Sequence, residues 1–191
     1  MKNLIPALIL LLISFTACKT VKPVANTGSN KAQTTITTPD AKPEEFNFSE
    51  QSTWLLGYVN PGQFSRLPYS TWYLKGFDDY QFNSDAINKL LEINKDNLTI
   101  KVVMGTWCPD SRREVPRFMR VLNIWQFTSE KLTILGVDNA KLCPIGDFDK
   151  LNIQRVPTFI MYKNNIEVGR IIENPVTSLE QDMVNILTKK E

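Results

Sequence analysis

The stretch Trp107-Cys108-Pro109-Asp110-Ser111 decides how this chain is interpreted, because it places a cysteine between two elements of different periodicity. Residues 98–104, Leu-Thr-Ile-Lys-Val-Val-Met, form a nearly continuous apolar run, which predicts a buried strand. Over residues 109–125 the apolar side chains recur at helical spacing, and Pro116 is predicted to kink this helix. Cys108 is therefore expected where a strand ends and a helix begins.

The position of Cys108 suggests a chemical function for its sulfur. The first N–H groups of a helix have no partners within the helix, and the helix dipole is positive at that end. Both features favour a thiolate, which is the form of cysteine that attacks disulfides. Ser111 occupies the place where a dithiol enzyme carries its second cysteine, so one half of the usual redox pair is missing.

The composition is that of an ordinary globular protein, and it excludes several classes of function. The 191 residues suffice for one domain with appendages, and the formal net charge of +2 is too small to predict binding to nucleic acid. The chain contains no histidine, so zinc hydrolases and Ser/His or Cys/His nucleophile systems fit poorly. No metal site and no cofactor are predicted.

The first residues have the features of an export signal. Lys2 precedes an apolar run over residues 4–15, and two small residues then lead into Cys18. Small residues directly before a cysteine resemble the bacterial lipoprotein signal, in which this cysteine is lipidated and becomes the mature N-terminus. Residues 1–17 are accordingly predicted to be a lipoprotein signal peptide. The alternative is a plain secretory signal, with Cys18 incidental.

Three segments follow this signal. Residues 18–45 carry almost no large apolar side chain, so they cannot bury enough surface to fold and are predicted to be a flexible tether. Residues 46–82 are rich in aromatic side chains and interrupted by prolines, which predicts a helical or irregular extension packed on the main domain. An alternative is that some of these aromatics line a substrate groove. Residues 83–191 are predicted to form the main domain.

The main domain alternates between helical and strand patterns around the central motif. The further predicted elements are a helix over residues 84–94 capped by Ser84, a strand over 132–137, a loop with one helical turn over 140–153, a hairpin of strands 158–162 and 166–172, and a last helix opened by a capping box of Ser178 and Gln181. This order predicts a mixed α/β domain with both parallel and antiparallel strands.

Over roughly residues 80–190 the chain resembles the thioredoxin superfamily. The resemblance is carried by the strand before Trp107-Cys108, by Pro116 and by Val156-Pro157-Thr158 at the start of the hairpin. It implies a thioredoxin-like fold with a central mixed sheet flanked by helices, here preceded by the aromatic-rich extension. It also implies a cis peptide bond before Pro157 and contact between this proline and the nucleophile. The longer motif over residues 105–116 further resembles exported thioredoxin-like proteins of Bacteroidetes-type bacteria.

The resemblance implies roles for the residues of the motif. Cys108 is the nucleophile, and Ser111 and Pro157 complete the catalytic site, with Ser111 in place of the resolving cysteine. The residues expected along the substrate groove are Trp107, Pro109, Asp110, Arg155, Val156 and Thr158. Val102 departs from the buried acid that relatives often carry six residues before the nucleophile, which fits a site without a second thiol. A monothiol mechanism follows, in which Cys108 forms a mixed disulfide that another thiol must release.

Two further features near the motif have open roles. Arg112, Arg113 and Arg155 are expected to add positive potential around the thiolate, with Arg155 the best placed, or else to be solvated surface charges. Cys143 follows the family position at residues 137–138, where an aspartate lies near the motif tryptophan. It is a candidate resolving cysteine if it reaches the nucleophile, and the alternative is a free loop cysteine.

These observations lead to one main functional hypothesis and two alternatives. The main hypothesis is a thiol–disulfide exchange protein of the bacterial cell envelope, facing the periplasm and anchored in the membrane by lipid on Cys18. Its expected partners are exported proteins bearing thiols or disulfides, or a small thiol, and a monomer is expected. The first alternative is a redox-inactive thioredoxin-like module that binds extended polypeptide by backbone pairing. The second is a thiol peroxidase or glutathione-linked enzyme.

Overall fold

The computed structural model of the protein describes residues 45–189. The predicted signal peptide, Cys18 and almost all of the predicted tether lie outside these residues. Among the helices that are described, none has both the length and the hydrophobicity needed to cross a membrane.

Nine helices and strands make up the described part of the chain. In chain order they are β1 (Gly57–Tyr58), α1 (Ser70–Asp78), α2 (Ser84–Leu91), β2 (Leu98–Met104), α3 (Pro109–Ile124), β3 (Leu132–Gly136), β4 (Thr158–Lys163), β5 (Ile166–Ile172) and α4 (Leu179–Leu187). Short 3-10 turns lie at Gln51–Thr53, Pro61–Ser65, Ser129–Lys131 and Phe148–Leu151.

The strands of this region form a five-stranded mixed sheet in the order β1-β3-β2-β4-β5. β2 and β3 run parallel, whereas the other neighbouring pairs are antiparallel. Because β2 and β3 are parallel, their carboxyl ends meet at one edge of the sheet. The chain leaves β2 there and enters α3 through Cys108. The mixed sheet with its flanking helices confirms the predicted thioredoxin-like α/β fold.

The main hydrophobic core joins α3 to the sheet. Phe118 on α3 stacks on Phe159 on β4 with ring centroids 4.2 Å apart, and both side chains are fully buried. A smaller buried cluster lies at the carboxyl ends of β2 and β3 and contains Val103, Cys108, Leu135, Val137 and Val156. The large core therefore fixes α3 against β4, and the small cluster surrounds the cysteine at the start of α3.

Residues 46–82 contribute both a strand and a helix to this fold. β1, which sequence reasoning missed, pairs with β3 through Gly57 and Gly136. A β-carbon on Gly136 would lie 2.0 Å from the Leu55 carbonyl oxygen, so the close approach of these backbones requires glycine. α1 packs on α3, where a β-carbon on Gly76 would lie 2.6 Å from Cγ of Pro116. α3 continues through this proline.

Two helix starts differ from their predicted form. The side chain of Asn83, not Ser84, caps α2, because its oxygen accepts the Ala86 N–H at 3.1 Å. Ser178 caps α4 as predicted and accepts the Gln181 N–H at 3.3 Å. The Gln181 side chain instead donates to Asn185, so the predicted capping box is only half formed.

A buried carboxylate fastens α4 to the segment between α1 and α2. Glu180 is fully buried and accepts hydrogen bonds from the Tyr80 hydroxyl, at 2.9 Å, and from the Asn83 N–H. Burial raises the pKa of Tyr80 above its ordinary value, and the hydrogen bond to Glu180 raises this pKa further. The Tyr80 hydroxyl therefore keeps its proton at neutral pH and remains a donor to the buried charge.

Candidate active site

Cys108 occupies the N-cap position of α3, at the carboxyl edge of the sheet. Its side chain is 7% exposed, and its thiol donates a hydrogen bond to the Val156 carbonyl oxygen at 3.3 Å. The backbone N–H of Cys108 donates to the Gly105 carbonyl at 3.0 Å, which closes the turn between β2 and α3. The Cys108 side chain makes no capping hydrogen bond, so it leaves the first N–H groups of the helix free to face an anion.

The segment before β4 forms the part of the site that faces Cys108. The Val156–Pro157 peptide bond is cis, as the resemblance implied, and Val156 is the residue that contacts the Cys108 sulfur. The Thr158 hydroxyl donates to the Arg155 carbonyl at 2.6 Å, and the Glu173 N–H donates to the Pro157 carbonyl at 2.7 Å. These two hydrogen bonds fix the backbone on both sides of the proline.

Ser111 lies inside the helix start rather than at the surface. It is fully buried, and its hydroxyl oxygen accepts the Gly105 N–H at 3.2 Å. Serine thus stabilises the turn that carries Cys108 into α3. Its hydroxyl oxygen is already used in that hydrogen bond, and it cannot form a disulfide.

Trp107 packs between the motif and the chain that follows β3. Its indole N–H donates to the Val137 carbonyl at 3.0 Å, and its ring lies 6.4 Å from that of Trp54. The Asp138 carboxylate accepts the Leu142 N–H at 2.8 Å and so shapes the following loop. A β-carbon on Gly105 would lie 2.4 Å from the Trp107 indole nitrogen, so the indole occupies the space beside this glycine.

Two of the three arginines that the sequence singled out are paired with carboxylates. Arg155 is exposed and pairs with Glu173 at 2.8 Å, and its expected place near the thiolate stays a prediction. Its pKa is raised by this hydrogen bond and by the charge of Glu173. Arg113 pairs with Asp110 at 2.7 Å and thereby offsets the negative charge of Asp110 at the helix start.

Arg112 has a different environment. Its Nη1 group donates to the carbonyl oxygens of Thr106 and Trp107, both at 2.9 Å, and its guanidinium carbon lies 4.8 Å from the centroid of the Phe48 ring. Burial lowers the pKa of the Arg112 guanidinium from its ordinary value, and the charge of an ionised Cys108 opposes this shift. Among the described residues, Arg112 forms no ion pair with a carboxylate.

Cys143 lies in the loop after β3 and packs against the small cluster that contains Cys108 and Val156. Its half-buried sulfur interacts with the backbone of Gly57, on β1, and of Ile145. The sheet order places β1 and β4 on opposite sides of β2, and the Cys108 sulfur faces the β4 side. Both cysteines are free thiols, and a resolving role for Cys143 stays a prediction.

Burial raises the pKa of the Cys143 thiol above its ordinary value, more than hydrogen bonds to the neighbouring backbone lower it. In a Cys18→Ser, Cys108→Ala protein, alkylation of Cys143 by iodoacetamide should therefore be slow at neutral pH and should accelerate at a higher pH than in the unfolded chain. Cys143 lines an open cavity of about 580 Å³, so ionisation rather than access should limit the rate. The same protein in urea should show the ordinary thiol profile, with a midpoint near about 8.5. Equal pH profiles of alkylation in the folded protein and in urea would contradict the conclusion that burial raises the pKa of Cys143.

Among residues 45–189, no three or more histidine, cysteine, aspartate or glutamate side chains are grouped so that they could hold a metal ion. The residues that the structure does bring together are Cys108, Val156, Pro157, Ser111, Trp107 and Arg112. Sequence reasoning missed Phe48, because the aromatic-rich segment offers many rings at irregular spacing and nothing in it marks the ring that meets an arginine. Arg112 follows Cys108 by four positions, which is one helical turn. This spacing is the only signal in the sequence that could have favoured Arg112 over the other two arginines.

A mixed sheet in this order, a cysteine at the N-terminus of the helix after β2 and a cis-proline directly before β4 are the features of a thioredoxin-like fold. No model of a known protein family matches the chain, and no curated protein does. Several solved structures are similar, among them the following two. A protein of unknown function from Pseudomonas aeruginosa has a TM-score of 0.41 and 14% identity, with 62% of this chain and 75% of that chain covered. Thioredoxin O2 from Arabidopsis thaliana, in its oxidized state, has a TM-score of 0.35 and 18% identity, with 56% of this chain and 89% of that chain covered.

Proposed function

We propose that this protein carries out thiol–disulfide exchange on exported proteins of the bacterial cell envelope, through Cys108 and by a monothiol mechanism. The observation that carries the proposal is the placement of the Cys108 sulfur at the N-terminus of α3, 3.3 Å from the Val156 carbonyl and beside Pro157. A sulfur so placed lies at the positive end of a helix, whose first N–H groups have no partners within the helix.

The first step of the proposed reaction is attack by the Cys108 thiolate on a substrate disulfide. A new S–S bond forms between Cys108 and one substrate sulfur, while the original S–S bond breaks and its electron pair leaves on the second substrate sulfur. The product is a mixed disulfide between Cys108 and substrate, together with one released thiolate. Protonation of that thiolate by water completes the step.

The second step requires a thiol from outside the motif. Ser111 cannot supply it, and burial raises the pKa of the Cys143 thiol and so disfavours its thiolate; an external thiol is therefore the proposed partner. Its thiolate attacks the substrate sulfur of the mixed disulfide, and the electron pair of the broken bond returns to Cys108. Cys108 is regenerated as a thiolate, and the substrate leaves joined to the external thiol.

The cellular setting of the proposal rests on the sequence before the described residues. The apolar run and the small residues before Cys18 support export and lipid attachment, which would hold the protein at the membrane and facing the periplasm. Exported proteins with thiols or disulfides, or a small thiol of that compartment, are the proposed partners.

Trapping of mixed disulfides in cells tests the proposed function. The full-length protein should form disulfide-linked adducts that disappear on reduction, because the native motif has no neighbouring thiol to release them. Adducts should be lost completely in Cys108→Ala and kept in Cys143→Ser. The measurement is a non-reducing gel after acid quenching and blocking of free thiols. Adducts of equal yield in Cys108→Ala would contradict the proposal.

One observation favours a second candidate, a redox-inactive module that binds extended polypeptide. Cys108 is only 7% exposed, and its thiol already donates to the Val156 carbonyl. A binding module would retain unfolded polypeptide in Cys108→Ala and would form no adducts under mild oxidation. An exchange protein would form adducts under mild oxidation and would not retain unfolded polypeptide in Cys108→Ala. Comparison of the native protein with Cys108→Ala therefore distinguishes the two candidates.

A further inference from the structure

The charge around Cys108 is distributed unevenly among its neighbouring arginines. Arg113 is neutralised by Asp110, and Arg155 by Glu173. Arg112 makes no such ion pair with any described residue, although it lies one helical turn from the cysteine. Its charge is therefore the one of the three that is available to a negative sulfur.

Hydrogen bonds hold the Arg112 guanidinium against the turn that carries the nucleophile. The Trp107 carbonyl belongs to the peptide group that joins Trp107 to Cys108, and Arg112 donates to it at 2.9 Å. The neighbouring Thr106 carbonyl accepts from the same Nη1 group. Both contacts use Nη1, so the guanidinium is anchored to the backbone of the turn that leads into Cys108.

The other face of the guanidinium is covered by the Phe48 ring, with 4.8 Å between the guanidinium carbon and the ring centroid. Phe48 is itself fixed. Its carbonyl accepts the Trp54 indole N–H at 3.0 Å, and its ring lies 6.4 Å from those of Tyr69 and Trp72. An aromatic face over an arginine attracts the cation and excludes water from it.

The segment of residues 47–55, here called the N-terminal strap, is also bound directly to the turn. The Thr106 hydroxyl donates to the Thr53 carbonyl at 3.0 Å and accepts the Leu55 N–H at 3.2 Å. Thr106 is almost fully buried by these contacts. The N-terminal strap thus contacts the motif at Thr106, at Trp107 and at Arg112.

We propose that Arg112 is the counter-charge of the Cys108 thiolate, and that Phe48 of the N-terminal strap is the residue that positions it. This inference rests on the proposed exchange function, because a counter-charge serves a sulfur that reacts as an anion. Phe48 contacts the Arg112 guanidinium, so its expected effect on the sulfur is transmitted through Arg112.

Alkylation with two reagents of similar size and different charge tests the inference. In a full-length Cys18→Ser, Cys143→Ser background, Cys108 is the only thiol. The rate of its alkylation by neutral iodoacetamide at pH 7 reports the fraction of Cys108 that is thiolate. The ratio of the iodoacetate rate to the iodoacetamide rate, here called the ratio, reports positive charge beside the sulfur. Arg112→Ala should lower the rate of alkylation by iodoacetamide by about tenfold and lower the ratio by about threefold.

Conservative variants separate charge from structure. Arg112→Gln keeps a donor for the carbonyl groups but removes the charge, so it should lower the ratio as Arg112→Ala does. Arg112→Lys should keep the ratio within about twofold of the native value. Phe48→Ala should lower the ratio by about twofold, and Phe48→Trp should restore it. In an Arg112→Ala background, Phe48→Ala should have no further effect on the ratio.

Phe77→Ala is the matched control, because Phe77 makes the same type of contact with Arg120, at 5.2 Å, further along α3. This variant should leave the ratio unchanged. An unchanged ratio in both Arg112→Ala and Arg112→Gln would overturn the counter-charge, and an equal effect of Phe48→Ala with and without Arg112 would overturn the role of Phe48. Alkylation requires no disulfide substrate, so a changed ratio without adducts in cells supports the charge pairing and contradicts only the exchange function.

Discussion

A Ser111→Cys variant is expected to release two equivalents of thionitrobenzoate from 5,5′-dithiobis(2-nitrobenzoate), whereas the native motif releases one. Cys108 attacks the reagent, frees the first equivalent and keeps the second as a mixed disulfide. A new thiol at position 111 would attack the Cys108 sulfur and free the second equivalent, leaving an intrachain disulfide. This attack is fast because the two sulfurs belong to one turn of a helix, where the effective concentration far exceeds that of an external thiol.

The geometry at the start of α3 favours this conversion. Cα atoms three positions apart in a helical turn lie within the span of about 4.4–6.8 Å that a disulfide requires. The substitution also removes the acceptor of the Gly105 N–H, at a cost of about 1 kcal/mol. Ser111→Ala loses the same hydrogen bond without gaining a thiol and should release one equivalent. The measurement is absorbance at 412 nm in the Cys18→Ser, Cys143→Ser background, and one equivalent from Ser111→Cys would contradict the inference that position 111 is where a resolving thiol would act.

Replacing Phe118 by alanine is expected to lower the free energy of unfolding by about 3–5 kcal/mol. Its ring is fully buried and stacks on Phe159 at 4.2 Å, so truncation leaves a cavity between α3 and β4. This loss is a large part of the stability of about 5–15 kcal/mol that is typical of a domain. α3 begins directly after Cys108, and β4 begins directly after Pro157. The variant should therefore also make the positions of Cys108 and Pro157 relative to each other less well fixed.

Urea unfolding followed by circular dichroism measures this effect as a lower midpoint with an unchanged slope. Phe82→Ala is the control, because Phe82 is 37% exposed and its truncation should cost under about 1 kcal/mol. A midpoint for Phe118→Ala within the error of the Phe82→Ala value would show that the packing between α3 and β4 contributes little to stability.

The regular elements of the main domain could be predicted because their patterns are local. The strand over residues 98–104 has the predicted bounds, because its nearly continuous apolar run marks a largely buried strand. The helix after Cys108 and the hairpin from residue 158 to residue 172 were likewise marked by periodicity and by turn residues. The cis bond before Pro157 came from the resemblance and not from local physics.

The features that sequence reasoning missed depend on contacts between distant parts of the chain. β1 has only two residues, too few to show alternation, and exists because β3 offers it an edge. Arg155 was expected to be the best placed arginine because it lies two residues before Pro157, and its ion pair with Glu173, 18 positions away, could not be predicted from the local sequence. The contact of Phe48 with Arg112 spans a still longer stretch of chain and involves one ring among many.

The contact between Gly76 and Pro116 imposes an order on the mutations that this protein can accept. Any side chain at position 76 would overlap the proline ring, with 2.6 Å between the new β-carbon and Cγ. A larger residue there becomes tolerable once position 116 carries a smaller residue such as alanine. Substitutions at these two sites are therefore epistatic: related sequences should reach a bulkier residue at 76 through variants that have already lost the proline.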